Sequence, residues 1–115
     1  IVKLDQLINS HNKKMTEHQL RYLNHLKSVA EKLKSRRKID SEEFTNSYNN
    51  FITELTALEL QIEAQAEKNY SVTLNDDKKH RLEFEAVFKE LREDLKIIES
   101  QLKALLASLR ELIKE

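Results

Sequence analysis

The chain has 115 residues and a formal net charge of zero, with 20 lysines and arginines against 20 aspartates and glutamates. It contains no glycine, proline, cysteine or tryptophan. Glycine-rich phosphate loops and nucleophile elbows are excluded, because each needs backbone freedom that glycine supplies. Disulfides and thiolate chemistry are excluded as well. Hydrophobic residues at 39% and charged residues at 35% are typical of a helical globular domain.

The chain reads as one domain belonging to a longer protein. It begins at Ile1 without an initiator methionine and ends at Glu115 inside a repeating pattern, so we expect a fragment. No apolar run approaches the roughly 18 residues that a membrane-spanning helix needs. The sequence leaves localisation open.

The first predicted helix covers residues 1–36, and its seam changes register. From Met15 to Leu26 is an eleven-residue spacing, which unwinds a supercoil locally. We expect His11 and His18 to be polar members of the buried seam. The first register contains Ile1, Leu4, Ile8, His11, Met15, His18 and Tyr22, and the second contains Tyr22, Leu26, Val29 and Leu33.

Residues 39–44 predict the start of a second helix without help from glycine or proline. Asp40 is expected at the N-cap, with Glu43 returning a hydrogen bond from N3 and Ile39 packing against Phe44. The basic residues just before this point suit the negative end of the first helix dipole.

Helix two over residues 41–69 and helix three over residues 75–115 carry regular apolar stripes. Steps of four and three residues predict helices packed along one seam. Thr73 or Asn75 is the expected cap of helix three. The stripes are Phe44, Tyr48, Phe51, Leu55, Leu58 and Ile62 in helix two, and Phe84, Phe88, Leu91, Leu95, Ile98, Leu102, Leu105, Leu109 and Leu112 in helix three.

The predicted fold class is all-α. Two short connections make consecutive helices antiparallel, giving an up-down-up three-helix bundle with heptad, coiled-coil packing. Matching the stripes across both turns places Leu58 level with His18 and Phe88. Pairing with a second copy into a four- or six-helix assembly stays open as an alternative.

The predicted helices differ in length, which suggests a docking surface. Helix three is longer than helix two, so about ten of its residues, roughly 15 Å, should overhang the turn at Asp40. An exposed apolar strip of that size predicts a protein partner or a second copy. The alternative is that helix one covers it. The expected partner-binding residues are Leu105, Leu106, Leu109, Leu112 and Ile113.

Charge is unevenly divided along the chain. Residues 1–40 carry a net charge of +6, residues 41–72 carry −5, and residues 73–115 carry −1. One interpretation is ion pairing between the basic first helix and the acidic second helix. The other is a basic corner for phosphates of an anionic membrane or of nucleic acid, formed by Lys34, Arg36, Arg37 and Lys38.

Histidines recur at residues 11, 18 and 25 in steps of seven. Residues seven apart lie about 10.5 Å apart along a helix, too far to share one metal ion, so no metal site is predicted. Protonation of His11 and His18 within the seam would instead make the bundle sensitive to pH. No catalytic residue, cofactor site or small-molecule substrate is predicted.

The function predicted from sequence is a non-catalytic protein interaction or spacer module. Its partner is expected to be another protein or a second copy of the chain. The alternatives are a pH- or ligand-responsive helical sensor and a basic corner that binds anionic membrane or, less favoured, nucleic acid.

Overall fold

A computed structural model describes residues 4–36, 41–72 and 80–114. They form three α-helices: α1 at Leu4–Arg36, α2 at Glu42–Glu67 and α3 at His80–Lys114. Each helix packs against the other two, in a rod of 66 × 19 × 16 Å. The predicted all-α, three-helix bundle is confirmed.

The N-cap of α2 is Ser41, one residue later than predicted. The Ser41 side chain accepts a hydrogen bond from the Phe44 backbone N–H at 3.0 Å, and its carbonyl accepts from Thr45 N–H. A hydroxyl here satisfies an otherwise unpaired N–H of the first turn, so Asp40 is not needed as a cap. The expected Ile39 contact and the caps at Thr73 or Asn75 lie outside the described residues.

The core consists of two apolar clusters arranged along the rod. The larger cluster fills the half nearer the α1–α2 connection and the C-terminal part of α3. The smaller one joins Ile8, Tyr70, Leu91 and Leu95 near the start of α1. The larger cluster contains Leu23, Leu26, Ala30, Phe44, Tyr48, Phe51, Leu55, Leu58, Ile62, Ile98, Leu102, Leu105, Leu109 and Leu112.

The buried face of α1 differs from the predicted one. His18 is exposed and Tyr22 is 39% exposed, so the expectation that His18 lies in the seam is wrong. The face that packs inward carries three polar residues in its middle, and an apolar pattern alone does not reveal it. Its members are Ile8, Asn12, Thr16, Gln19, Leu23, Leu26 and Ala30.

Hydrogen bonds make this polar layer compatible with burial. Asn12 Nδ2 donates to the Gln65 carbonyl at 2.8 Å, and Gln65 Nε2 donates to Asn12 Oδ1 at 3.1 Å. The Thr16 hydroxyl donates to the Asn12 carbonyl one turn earlier, and Gln19 Nε2 donates to the Leu95 carbonyl. Each of these bonds offsets part of the cost of removing an amide or hydroxyl from water.

The register of α3 also differs from the predicted one. Leu58 and Leu105 line one groove between α2 and α3, whereas the matched stripes placed Leu58 beside Phe88. Relative to the predicted register, α3 is therefore shifted along the rod, so that its C-terminal end lies within the bundle. Its N-terminal end extends past the end of α2 instead, where residues 68–72 cover it.

The predicted overhang of helix three is consequently wrong. Leu105, Leu109 and Leu112 are at most 5% exposed and belong to the larger core cluster, and Leu106 packs against that cluster. Of the five expected docking residues, only Ile113 is largely exposed, at 52%. The strip is mostly core, because the bundle extends to the end of α3.

Replacing Leu109 and Leu112 together by glutamate should unfold the chain. Two carboxylates would be forced into an apolar cluster, at a cost comparable to the roughly 5–15 kcal/mol that stabilises a domain. Circular dichroism should show loss of helicity. Ile113→Glu, on the same turn of α3 but exposed, is the matched control and should keep its helicity. If the double variant keeps its helicity, these leucines lie on the surface and not in the core.

Replacing Gln19 by leucine should stabilise the bundle. Gln19 is 5% exposed, and its Oε1 has no hydrogen-bond partner within the described ranges. An unsatisfied buried acceptor costs about 1–3 kcal/mol, which outweighs the one bond lost to Leu95. Thermal melting should show a rise of several degrees, and exposed Gln101→Leu should give none. A lower melting temperature for Gln19→Leu would mean that the amide is fully satisfied.

Candidate functional site

The segment that follows α2 is held in place by Asn9 of α1. Asn9 Oδ1 accepts from the Tyr70 backbone N–H at 2.8 Å, and Asn9 Nδ2 donates to the Tyr70 carbonyl at 3.1 Å. Asn9 Nδ2 also lies 2.8 Å from Asn69 Oδ1. One side chain thus pairs with both backbone groups of Tyr70, and this pairing satisfies a backbone that has left the helix.

The side chain of Tyr70 then joins all three helices. Gln65 Nε2 donates to the Tyr70 hydroxyl at 2.7 Å, and that hydroxyl donates to Asp94 Oδ2 of α3 at 2.6 Å. Lys68 Nζ donates to the same Asp94 oxygen at 2.6 Å and lies 4.9 Å above the Tyr70 ring. Because Gln65 also pairs with Asn12, the network is continuous. We call Asn12, Gln65, Lys68, Tyr70 and Asp94 the polar clamp.

The polar clamp shifts the pKa of each of its ionisable groups. Burial alone would raise the pKa of Asp94, but hydrogen bonds from Lys68 and Tyr70 outweigh it and hold that pKa below its usual range. The hydrogen bond to Asp94 raises the pKa of Lys68. Burial, followed by the hydrogen bond to Asp94, raises the pKa of Tyr70. The folded state therefore favours the carboxylate, the ammonium and the neutral phenol.

The contacts within the clamp support the stability of the bundle. Each residue of the clamp makes at least one hydrogen bond within the clamp or to the backbone. Asp94 is neutralised by Lys68, and the Tyr70 hydroxyl is used once as donor and once as acceptor. These contacts give the clamp a structural role, because they join the segment after α2 to both α2 and α3.

Acid should weaken the clamp. Because the pKa of Asp94 is lowered in the folded state, its contribution to the free energy of unfolding is present above the ordinary carboxyl pKa of about 3.9. That contribution is lost as pH falls through the lower pKa of the folded state. The pKa values of Lys68 and Tyr70 are raised in the folded state, so their contributions to the free energy of unfolding are lost only when pH rises above about 10. Between these limits the clamp is intact.

Asp94→Asn should lower the free energy of unfolding at pH 7, and the difference from the unmodified chain should shrink as pH falls below about 4. Urea unfolding across a pH series measures this difference. Glu93→Gln, an exposed neighbour on α3, serves as the control and should change little. A difference for Asp94→Asn that stays constant down to pH 2 would show that the charge of Asp94 is unimportant.

A second candidate feature is a basic stripe on the outer face of α1. Its residues recur at intervals of three, four or seven, so they share one side of the helix, opposite the buried seam. All of them are exposed, and none is acidic. From first to last the stripe extends roughly 33 Å along the axis. The basic stripe comprises Lys14, His18, Arg21, His25, Lys32 and Arg36.

The neighbouring flank of α3 is basic as well. The Arg92 guanidinium lies 5.3 Å from the Phe88 ring centroid, and Phe88 lies 5.5 Å from the ring of His11 on α1. These contacts place this flank of α3 beside the outer side of α1. Glu85 and Glu99 are acidic residues within it, each seven residues from Arg92. We call Arg92, Lys96, Lys103 and Arg110 the α3 basic flank, and all four are exposed.

The expected pairing between basic α1 and acidic α2 receives no support from ion pairs. Within the described residues, the ion pairs join Lys68 to Asp94 and Glu90, and Lys114 to Glu111. Neither Lys68 nor Lys114 belongs to α1. The cations of the basic stripe are therefore not neutralised by α2, and they remain available to a partner.

The predicted anion-binding corner is only partly described. Lys34 and Arg36 are exposed, whereas Arg37 and Lys38 lie outside the described residues. Lys34 Nζ lies 4.7 Å from the ring centroid of Tyr48 on α2, so it belongs to a different side of α1 from the basic stripe. Arg36 continues the stripe. The binding role of the corner stays a prediction.

The predicted pH-sensing pair is separated by the structure. His11 is half-buried against Phe88, whereas His18 is exposed on the basic stripe. They do not form one buried layer, and a pH response stays a prediction. Sequence reasoning missed the stripe because it considered the histidine repeat without the cations at residues 14 and 21, which share its face.

Two further features of the described ranges concern metal binding and membrane crossing. No group of three histidine or acidic side chains there is arranged to hold a metal ion. None of the described helices is both long and apolar enough to cross a bilayer. Shallow grooves follow the helix contacts, one of them between α2 and α3 lined by Glu54 and Glu111.

Comparisons with protein-family models, with curated proteins and with solved structures found no match for this chain. Function is therefore inferred from the shape, contacts and charge of the described residues.

Proposed function

We propose that this chain is a non-catalytic helical spacer and interaction module, built as a coiled-coil bundle. The observation that carries the proposal is the direction of its helices. Because α2 runs back between them, α1 and α3 run in the same direction, so the chain enters the rod near one end and leaves near the other. Segments joined to the two sides would be held apart by most of its 66 Å length.

Stiffness along the rod supports the same proposal. Each helix contacts both others, the larger apolar cluster extends to the end of α3, and the polar clamp fastens the opposite half. Three helices with a close-packed interior resist bending more than a single helix does. The outer faces are exposed and charged, which leaves them available for contact with other molecules.

The distance across the rod can be measured directly, because the chain has no cysteine of its own. Spin labels on Gln6→Cys and Glu111→Cys, both exposed, should give a narrow distance distribution near 40 Å by pulsed electron paramagnetic resonance. This distance is expected because α1 and α3 lie side by side in the same direction and each rises about 1.5 Å per residue. A pair at Gln6 and Glu67 is the matched control, since both lie near the same end. Its distance should be less than half as long.

A broad distribution for the long pair, or a mean close to that of the control pair, would contradict the spacer proposal. The Leu109→Glu, Leu112→Glu variant provides the reference for an unfolded chain. Its distribution should be broad for both label pairs, because the flexible chain no longer fixes either distance.

A further inference from the structure

We propose that the α1/α3 side of the bundle is a docking surface for an anionic lipid bilayer, bound in the plane of the membrane surface. The proposal goes beyond the spacer role and does not depend on it. The surface consists of the basic stripe of α1 and the α3 basic flank. The exposed side chains of Leu7 and Tyr22 lie on or beside the same face of α1.

The first argument is charge that has no internal partner. No residue of the basic stripe takes part in an ion pair within the described ranges, although α2 carries six glutamates. Lysine and arginine side chains near an anionic leaflet contribute about 1 kcal/mol each. A line of exposed cations without internal partners is complementary in charge to an anionic bilayer.

The second argument is shape. The basic stripe is straight over roughly 33 Å, and the α3 basic flank runs parallel to it on the adjoining helix. Two parallel lines on neighbouring helices, about 8–10 Å apart, define a broad face rather than a ridge. A broad face can touch a plane along its whole length, whereas the groove of a duplex admits one helix at a time.

The third argument is the position of exposed apolar groups among the cations. Leu7 is 50% exposed and Tyr22 is 39% exposed. Leu7 precedes Lys14 by seven residues, and Tyr22 lies four residues after His18 and three before His25, so both are near the basic stripe. An apolar body with a polar tip is suited to the boundary between headgroups and acyl chains.

The fourth argument is the distribution of acidic residues, which disfavours a second copy as the partner. Glu63 and Glu67 line the groove between α1 and α2, whereas Glu54 and Glu111 line the groove between α2 and α3. Glu63 and Glu67 form an acidic row with Glu59 at steps of four, but that row extends only about 12 Å, too short to match the basic stripe. With zero net charge overall, the rod is attracted to an anionic plane only when its α1/α3 side faces that plane.

Binding is tested by co-sedimentation of the chain with vesicles of phosphatidylcholine alone and with vesicles rich in phosphatidylserine. We expect binding to the anionic vesicles only, lost when ionic strength rises from about 0.05 to about 0.5 M. Lys14→Gln, Arg21→Gln and Lys32→Gln together should weaken it on the order of 100-fold. The matched control combines Lys13→Gln, Lys27→Gln and Lys34→Gln, which removes the same charge from the α2 side of α1, outside the proposed surface, and should leave binding nearly unchanged.

Orientation is tested with a tryptophan reporter, since the chain has none. Tyr22→Trp should show a blue-shifted emission on anionic vesicles, because its ring leaves water. Leu60→Trp, placed on the 63% exposed position of α2, should show no shift. Circular dichroism of each variant checks that the bundle is folded before binding is compared.

Several outcomes would overturn the proposal. Equal binding by the stripe variant and its control would show that total charge decides, and an emission shift for both reporters would show that no particular face is used. Salt-sensitive binding to duplex DNA without binding to vesicles would assign the stripe to nucleic acid. Binding of soluble glycerophosphoserine as tightly as vesicles would reduce the site to one for free phosphates. Association of the chain with itself that the stripe variant abolishes would assign the surface to a second copy.

Discussion

The hydrogen bonds of Tyr70 decide how the three helices are aligned. Its backbone is paired with Asn9 of α1, and its hydroxyl connects Gln65 of α2 to Asp94 of α3. A heptad stripe is indifferent to sliding by seven residues, because the same face is presented after each slide. Directional polar contacts remove that freedom, since a displaced α3 would leave Asp94 without its two donors and the Tyr70 hydroxyl without an acceptor in a partly buried site.

Because the alignment of the helices depends on these polar contacts, the sequence could predict the helices but not their alignment. Helices α2 and α3 follow from strict apolar spacing, and the predicted range of α1 agrees with the observed Leu4–Arg36 over the residues that the structure describes. The alignment of α3 was wrong, because it is set by contacts of Lys68 and Tyr70 with Asp94 across more than twenty residues of sequence. No periodic signal encodes those contacts.

The inward face of α1 was missed for a related reason. Asn12, Thr16 and Gln19 occupy core positions where an apolar residue is expected, while Tyr22 lies outside. A pattern based on hydrophobicity therefore selects the wrong side of the helix. The same error hid the basic stripe, because a histidine placed in the seam cannot also belong to an exposed cationic face. Once the polar layer is recognised, the opposite face follows from helical geometry.

The two apolar clusters give the rod ends of unequal strength. At one end, three helices share the larger cluster; at the other, α2 has already ended, and a non-helical segment held by Asn9 covers α1 and α3. Segments with few buried apolar contacts open at a lower free energy than the rest of a domain. A pulling force that enters at α1 and leaves at α3 would therefore open the end near Ile8 first. Extension would begin there while the larger cluster still carried load, so the module would yield in two steps.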